Sequence, residues 1–237
     1  MLGWARRLLA DELNLRQELD LAKLELRGRL RVGVIPSAIA LVPALTSGVL
    51  ALHPLVEVEA MEMSSAELLR KLALYELDAG ITYVDNELLE RVRVRPIAAE
   101  ELVLAVPADS PSANRAAVSW REAALLPLCL LDAEMQNRRI IDAAFESVGT
   151  KPNVKIETNS IMSTIFHVRA GTLSTIVARS FAEAIAPLPG IHFAALVEPE
   201  IRKSVGLVVA SRDPVPALVG AIWAVGEAGG LTQQPIG

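Results

Sequence analysis

The sequence predicts an α/β protein in which buried, largely parallel strands are flanked by helices. Three observations carry this. Apolar runs rich in β-branched residues alternate with stretches of helical spacing along most of the chain. Polar capping residues and Gly or Pro breaks punctuate the joins. The 237 residues are 52% apolar but only 4% aromatic, so an aliphatic interior large enough for one big core or two small ones is available.

The elements follow in order. Residues 4–26 read as one helix, with Trp4, Leu8, Leu15, Leu19, Ala22 and Leu26 forming a seam close to an a/d pattern and Leu9, Leu13 and Leu24 a second strip. Such a helix needs a partner, either its own domain or, as a protruding dimer-forming linker, a second copy, and Arg27-Gly28 breaks it. Leu30–Ile35 is a buried strand. Ser37 offers an N-cap for a helix running to Leu52, which His53-Pro54 ends. Val56–Met61 is the next strand. Ser64-Ser65-Ala66-Glu67 reads as a capping box, with Leu68, Leu69, Leu72 and Leu77 behind it. Asp78–Tyr83, Val92–Ala98 and Leu102–Val106 follow as three strands, the last ending at Pro107.

A second section begins there. It reads as a short helix at Ser119–Ala124, a strand at Leu126–Leu131, a helix at Met135–Val148 and a strand at Val154–Glu157. A helix at Ser160–Ala170 is closed by Gly171, and Ile161, Met162 and Phe166 are expected in its core face. Strands at Ser174–Ala178, Ile191–Leu196 and Val205–Ala210 and a helix at Pro216–Glu227 complete the chain, and the tail GGLTQQPIG is expected to fray.

Composition excludes several roles. The net charge of −5 is opposite to the basic excess with which a free-standing nucleic-acid binder neutralises phosphates. One cysteine, Cys129, leaves no intramolecular disulfide and fits a reducing, cytoplasmic setting; within LPLCLL it reads as an inert core residue. The N-terminus has no apolar h-region of a secretory signal. Residues 32–52 carry no charge, but Pro36, Ser37, Pro43, Thr46, Ser47 and Gly48 interrupt them, so strand, turn and helix explain them better than a membrane span. His53, His167 and His192 flank no nucleophile motif, no Cys/His set has metal-ligand spacing, and neither Walker nor Rossmann glycines are present. The expectation is therefore no enzyme, no cofactor and no metal.

Several stretches in order resemble the effector-binding domain of LysR-type transcriptional regulators, preceded by the C-terminal part of their linker helix. They are WARRLLADELNLRQEL, GRLRVGVIPS, the long segment Leu41–Ile81 ending in ELDAGI, EELVLAVPADSP, IETNSIMSTIFHVRAGTLSTIVA and KSVGLVVASRDP. The resemblance implies a type 2 periplasmic-binding-protein-like fold of two Rossmann-like lobes joined by two crossover strands. Residues 1–28 would be a dimerisation helix, 29–103 plus 208–237 the first lobe and 104–207 the second. The family's helix-turn-helix domain has no counterpart in this chain, so DNA contact is expected only through that absent part. A small, anionic effector between the lobes, dimers or tetramers, and no membrane contact are implied.

Ligands of open α/β sheets bind beyond the carboxyl ends of strands, where helix starts present free amides. Four polar turns qualify: at Ser37, at Ser64-Ser65, at Asp132–Gln136 and at Thr158–Ser160, with Thr82 and Tyr83 ending another strand. Capping alone also accounts for each turn taken singly. The effector contacts expected are Ser37, Ala38, Ser64, Ser65, Thr82, Tyr83, Met135, Gln136, Asn159, Ser160 and Ile161. Arg138 and Arg139 oppose the dipole of their helix start. They read as a solvated pair, with a carboxylate partner or the ligand as alternatives. The rival classes are a solute-binding protein of similar fold and a small-molecule enzyme.

Overall fold

The computed structural model describes Glu12, residues 26–85 and residues 92–228. Nearly all of the expected helix over residues 4–26, and the tail from 229 onward, lie outside the described residues. The chain divides into two compact units, residues 1–99 with 204–237 and residues 100–203. No helix among the described residues is long and apolar enough to cross a membrane.

The first unit begins with β1 (Gly28–Val34), a 3-10 turn (Pro36–Leu41) and α1 (Val42–Leu52). It continues with β2 (Val56–Glu62), α2 (Ser65–Ala73), β3 (Ala79–Tyr83) and β4 (Val92–Pro107), which runs on into the second unit. β1 lies between β2 and β3, parallel to both, and Val34 is level with Glu62 on one side and Ile81 on the other. That register brings the carboxyl ends of all three strands to one edge.

Two glycines seat α2 on this sheet. Gly33 and Gly80 are register partners on adjacent strands. A Cβ on Gly33 would lie 3.2 Å from Leu68 Cγ, and one on Gly80 would collide with the same leucine. Leu68 plugs the recess they leave and joins Met63, Leu72, Leu77 and Val208 in a buried aliphatic cluster.

In the second unit the chain forms β5 (Ala117–Ser119), α3 (Trp120–Ala123), β6 (Leu128–Leu131) and α4 (Gln136–Ser147). Then come β7 (Val154–Thr158), α5 (Ile161–Arg169), β8 (Thr175–Ala178), α6 (Arg179–Ile185) and β9 (Ile191–Val197). β6 and β7 pair in parallel, as do β5 and β9, whereas β4 runs antiparallel to β8 and β9. Trp120 anchors the interior: its ring meets Phe145 edge-on at 5.1 Å, and its indole N–H donates to the Pro199 carbonyl at 2.9 Å. The chain returns through β10 (Arg202–Ala210), antiparallel to β3, and ends in α7 (Ala217–Ala228), which packs on α1.

The sheet is thus mixed rather than largely parallel, because β4 and β10 run against their neighbours. Further differences from the sequence reading have local causes. Ser37 caps no helix: Ile35 holds that position, Pro36 leads a 3-10 turn, and the α-helix starts only at Val42. Residues 92–107 form one strand instead of two, since the acidic pair between the two expected strands is satisfied in place. Glu100 accepts from the Ser180 amide and hydroxyl, and Glu101 pairs with Arg179 and Arg202. The same Glu100 serves the start of α6, a helix with no capping side chain of its own and hence no sequence signature. At α2 only Ser64 accepts, from the Glu67 amide, while the Glu67 carboxylate turns to Lys71. The reciprocal capping box lies at Ser119 and Glu122 instead. On α5, Ile161 is buried, but Met162 and Phe166 face solvent, Phe166 at 60% exposure.

Candidate polar turns at the strand ends

In the first unit, the Ile35 amide donates to the Ile81 carbonyl and the Met63 amide to the Val34 carbonyl. These bonds draw the turn carrying Ser37 and Ala38, the start of α2 with Ser64 and Ser65, and the end of β3 with Thr82 and Tyr83 to one edge of one sheet. Ser37, Ala38, Ser65, Thr82 and Tyr83 are all buried there. Ser64 is half-buried, its hydroxyl occupied in capping α2.

Two of these hydroxyls stand out. Ser37 Oγ and Thr82 Oγ1 are fully covered and have no hydrogen-bond partner among the described residues. A buried polar group left unpaired costs about 1–3 kcal/mol, so native proteins keep few without a use for them. Thr82 sits opposite Gly206 on β10, where a Cβ would meet the Arg95 carbonyl at 2.9 Å. Backbone therefore packs tightly beside the threonine.

In the second unit, Leu131 is level with Thr158, and the Asp132 amide donates to the Thr158 carbonyl at 3.0 Å. The turns after β6 and β7 thus adjoin. Met135 is the N-cap of α4 and offers its amides no side-chain cap. Gln136 follows, buried, with its Oε1 unpartnered. Ser160 caps α5 by accepting from the Ser163 amide, Asn159 is exposed, and Ile161 belongs to the core.

Arg138 is not a solvated cation. Its side chain is 10% exposed; Nε donates to Asp142 at 2.9 Å, and Nη1 donates to Glu157 at 2.6 Å and to the Leu131 carbonyl at 2.9 Å. Two carboxylates offset the unfavourable dipole of the helix start, and the guanidinium ties α4 to the end of β6. Arg139 is exposed and donates to the Glu134 carbonyl. Beside this linkage, Arg138, Asp142, Glu146, Thr150, Lys151, Pro152 and Val154 line an open groove of about 520 Å³.

Sequence reasoning passed over Thr175, whose Oγ1 is also buried and unpartnered. A threonine opening the apolar run TIVA was the available signal. The remaining chemistry is inert. Burial raises the Cys129 thiol, which lies inside β6. His167 Nδ1 lies 2.7 Å from the Ser163 carbonyl and His192 Nε2 3.1 Å from the Arg115 carbonyl, both structural contacts. No group of three His, Cys, Asp or Glu suited to a metal occurs among the described residues.

The model of the LysR substrate binding domain matches residues 23–228. The chain belongs to the LysR substrate-binding domain family. As members of that family do, it has a mixed α/β fold of the type 2 periplasmic-binding-protein-like class. Among curated relatives, an uncharacterized HTH-type transcriptional regulator, YbhD of Escherichia coli K12, is 26% identical over 183 residues. That match takes in 77% of this chain and 57% of the relative, so the chain spans little more than half of it. Among solved structures, the LysR family transcriptional regulator CbnR superposes with a TM-score of 0.75 at 18% identity, over 95% of this chain and 78% of CbnR. The effector binding domain of QuiR, solved in complex with shikimate, gives 0.73 at 18% identity, over 86% and 97% of the two chains.

Proposed function

We propose that this chain is the effector-sensing and self-associating part of a LysR-type transcriptional regulator. The observation that carries the reading is the set of buried, unpartnered polar atoms at strand ends: Ser37 Oγ and Thr82 Oγ1 in one unit and Gln136 Oε1 in the other. A small effector supplies the hydrogen bonds they lack. The helix starts at Ser64-Ser65, Met135-Gln136 and Asn159–Ile161 add amide donors, and a carboxylate or similar anion suits such donors. Tyr83 and Ala38 close the apolar side of the first unit's contact. The shikimate-bound relative makes a hydroxylated carboxylic acid a reasonable first class of effector to screen.

Among the described residues no catalytic constellation accompanies these atoms, and in this reading the molecule is held and reported. Self-association uses the apolar seam of residues 4–26, aided by Leu50, Leu52 and Leu55, which face solvent on and beside α1. DNA contact falls to a helix-turn-helix domain of the regulator, which places its work in the cytoplasm.

The test is a thermal-shift screen of carboxylic acids, each beside its neutral amide. At about a hundred times its dissociation constant, an effector adds roughly 2.7 kcal/mol of stability. Ser37→Ala and Thr82→Val remove the two buried hydroxyls with little change of volume and are expected to lower the effector's affinity about tenfold or more, shrinking that shift while leaving the far-UV spectrum unchanged. An undiminished shift in the folded Ser37→Ala, Thr82→Val protein removes these turns from the binding site. Native mass spectrometry reports stoichiometry and any retained acid in the same experiment.

A further inference from the structure

A second feature of the first unit lies apart from the polar turns. Arg93 and Arg95 project from the same face of β4, two residues apart, while Val94 between them packs on the aliphatic cluster of Met63, Leu68 and Val208. Both guanidiniums lie over the ring of Trp223 on α7, Arg93 at 4.4 Å and Arg95 at 4.7 Å from its centroid.

Arg95 is clamped there. Its Cδ would be 3.6 Å from a Cβ at Gly226, an ordinary packing contact, so α7 runs close along the stem. One guanidinium nitrogen pairs with Glu227, and Nε is covered. Trp223, Gly226 and Glu227, at i, i+3 and i+4, present one face of α7 to this arginine. Arg93 differs. It is exposed and meets no carboxylate among the described residues. Among the described residues, two cations therefore share one indole with a single carboxylate between them. Cation–π attraction at an exposed site is weak, so the fork of Arg93 is left to water, which an anion can displace, and the described groups at the ring carry a net positive charge.

We infer that Arg93, Arg95 and Trp223 form a binding site for a small oxyanion, a phosphate or a carboxylate. The indole holds the guanidinium planes, leaving N–H edges to grip oxygens in the bidentate manner arginine favours. The anion supplies the missing second negative charge. The site is independent of the polar strand-end turns and of the effector reading.

Its test uses the whole chain labelled with 5-fluorotryptophan, the Trp223 resonance being assigned with Trp223→Phe. Inorganic phosphate and succinate are titrated at constant ionic strength, with chloride as the reference salt. The expected result is a saturable shift of the Trp223 resonance with one or both oxyanions and none with chloride. Arg93→Gln, a change at an exposed residue, weakens that binding about tenfold or more, since hydrogen bonds to charged groups are worth roughly that. Arg93→Lys keeps the charge but loses the fork and falls between. A response to phosphate alone or succinate alone supports the site and fixes its chemistry. No shift, a shift that chloride reproduces, or an unchanged response in Arg93→Gln overturns it.

Discussion

Replacing Arg138 with Met tests whether one guanidinium holds the turns of the second unit. Methionine keeps most of the apolar stem, so the change removes chiefly the charge and its four hydrogen bonds: two to Asp142, one to Glu157 and one to the Leu131 carbonyl. Breaking a fully buried ion pair costs about 3–5 kcal/mol because a charge is left stranded. Here the side chains left behind are 41% exposed at Asp142 and 52% exposed at Glu157, so both rehydrate and the cost falls. The Leu131 carbonyl, by contrast, loses a charge-assisted bond of roughly 1.5–3 kcal/mol. The expected loss is about 2 kcal/mol, or about 4–8 °C in Tm for a chain of this length. Asp142→Asn leaves the Glu157 and Leu131 bonds in place and is expected to cost under about 1 kcal/mol. Urea denaturation of both variants supplies the comparison. A loss below about 0.5 kcal/mol for Arg138→Met, or an Asp142→Asn protein less stable than it, refutes the assignment of Arg138 as the tie between α4 and β6.

Gly80→Ala drives a methyl into Leu68 and is expected to cost about 1–3 kcal/mol, and Leu68→Ala alone about 2–5 kcal/mol. The double variant should lose clearly less than their sum, which a double-mutant cycle in urea measures. Ser119→Ala removes one half of the Ser119–Glu122 box and is expected to cost about 1 kcal/mol by the same assay. Burial raises the Glu100 carboxyl above its usual 4.5, outweighing the lowering by the Ser180 hydroxyl and amide. The folded state therefore prefers the protonated acid, and stability is lost as pH climbs from 4.5 through the raised value. Glu100→Gln, which cannot ionise, should gain on the parent protein as pH rises above 4.5 in paired thermal melts. A difference that stays flat or narrows with rising pH contradicts this.

Much of this architecture was legible in the sequence wherever a local rule sufficed. Apolar or alternating runs marked β1, β2, β6 and β8, and Ser64, Ser160 and Gly171 marked helix ends through their own side chains or backbone. What the sequence hid depended on partners distant along the chain. Glu100-Glu101 fell between two expected strands because Ser180, Arg179 and Arg202, which satisfy the pair inside a continuous strand, lie some eighty to a hundred residues away. The start of α6 was invisible for the same reason. Phe166 sits on an apolar helix, and nothing local indicates which side of it meets the sheet. Of the candidate contacts, Ser37 and Thr82 were named for their position after a strand. Their want of hydrogen-bond partners, which separates them from Ser64 and Ser160, emerged only from the packing around them.

The glycine recess beneath Leu68 bears on how this chain can be altered. The position of α2 is set by a leucine keyed into two missing methyls rather than by the hydroxyls at its start. Changes at positions 64 and 65 carry their own cost, the loss of the Ser64 cap or the disturbance of a buried Ser65, but they leave that seat in place. A library at those two positions therefore needs Gly33, Leu68 and Gly80 inherited as a block. The start of α2 divides into a keyed seat that must be kept whole and a lip whose rewriting costs about as much as one helix cap.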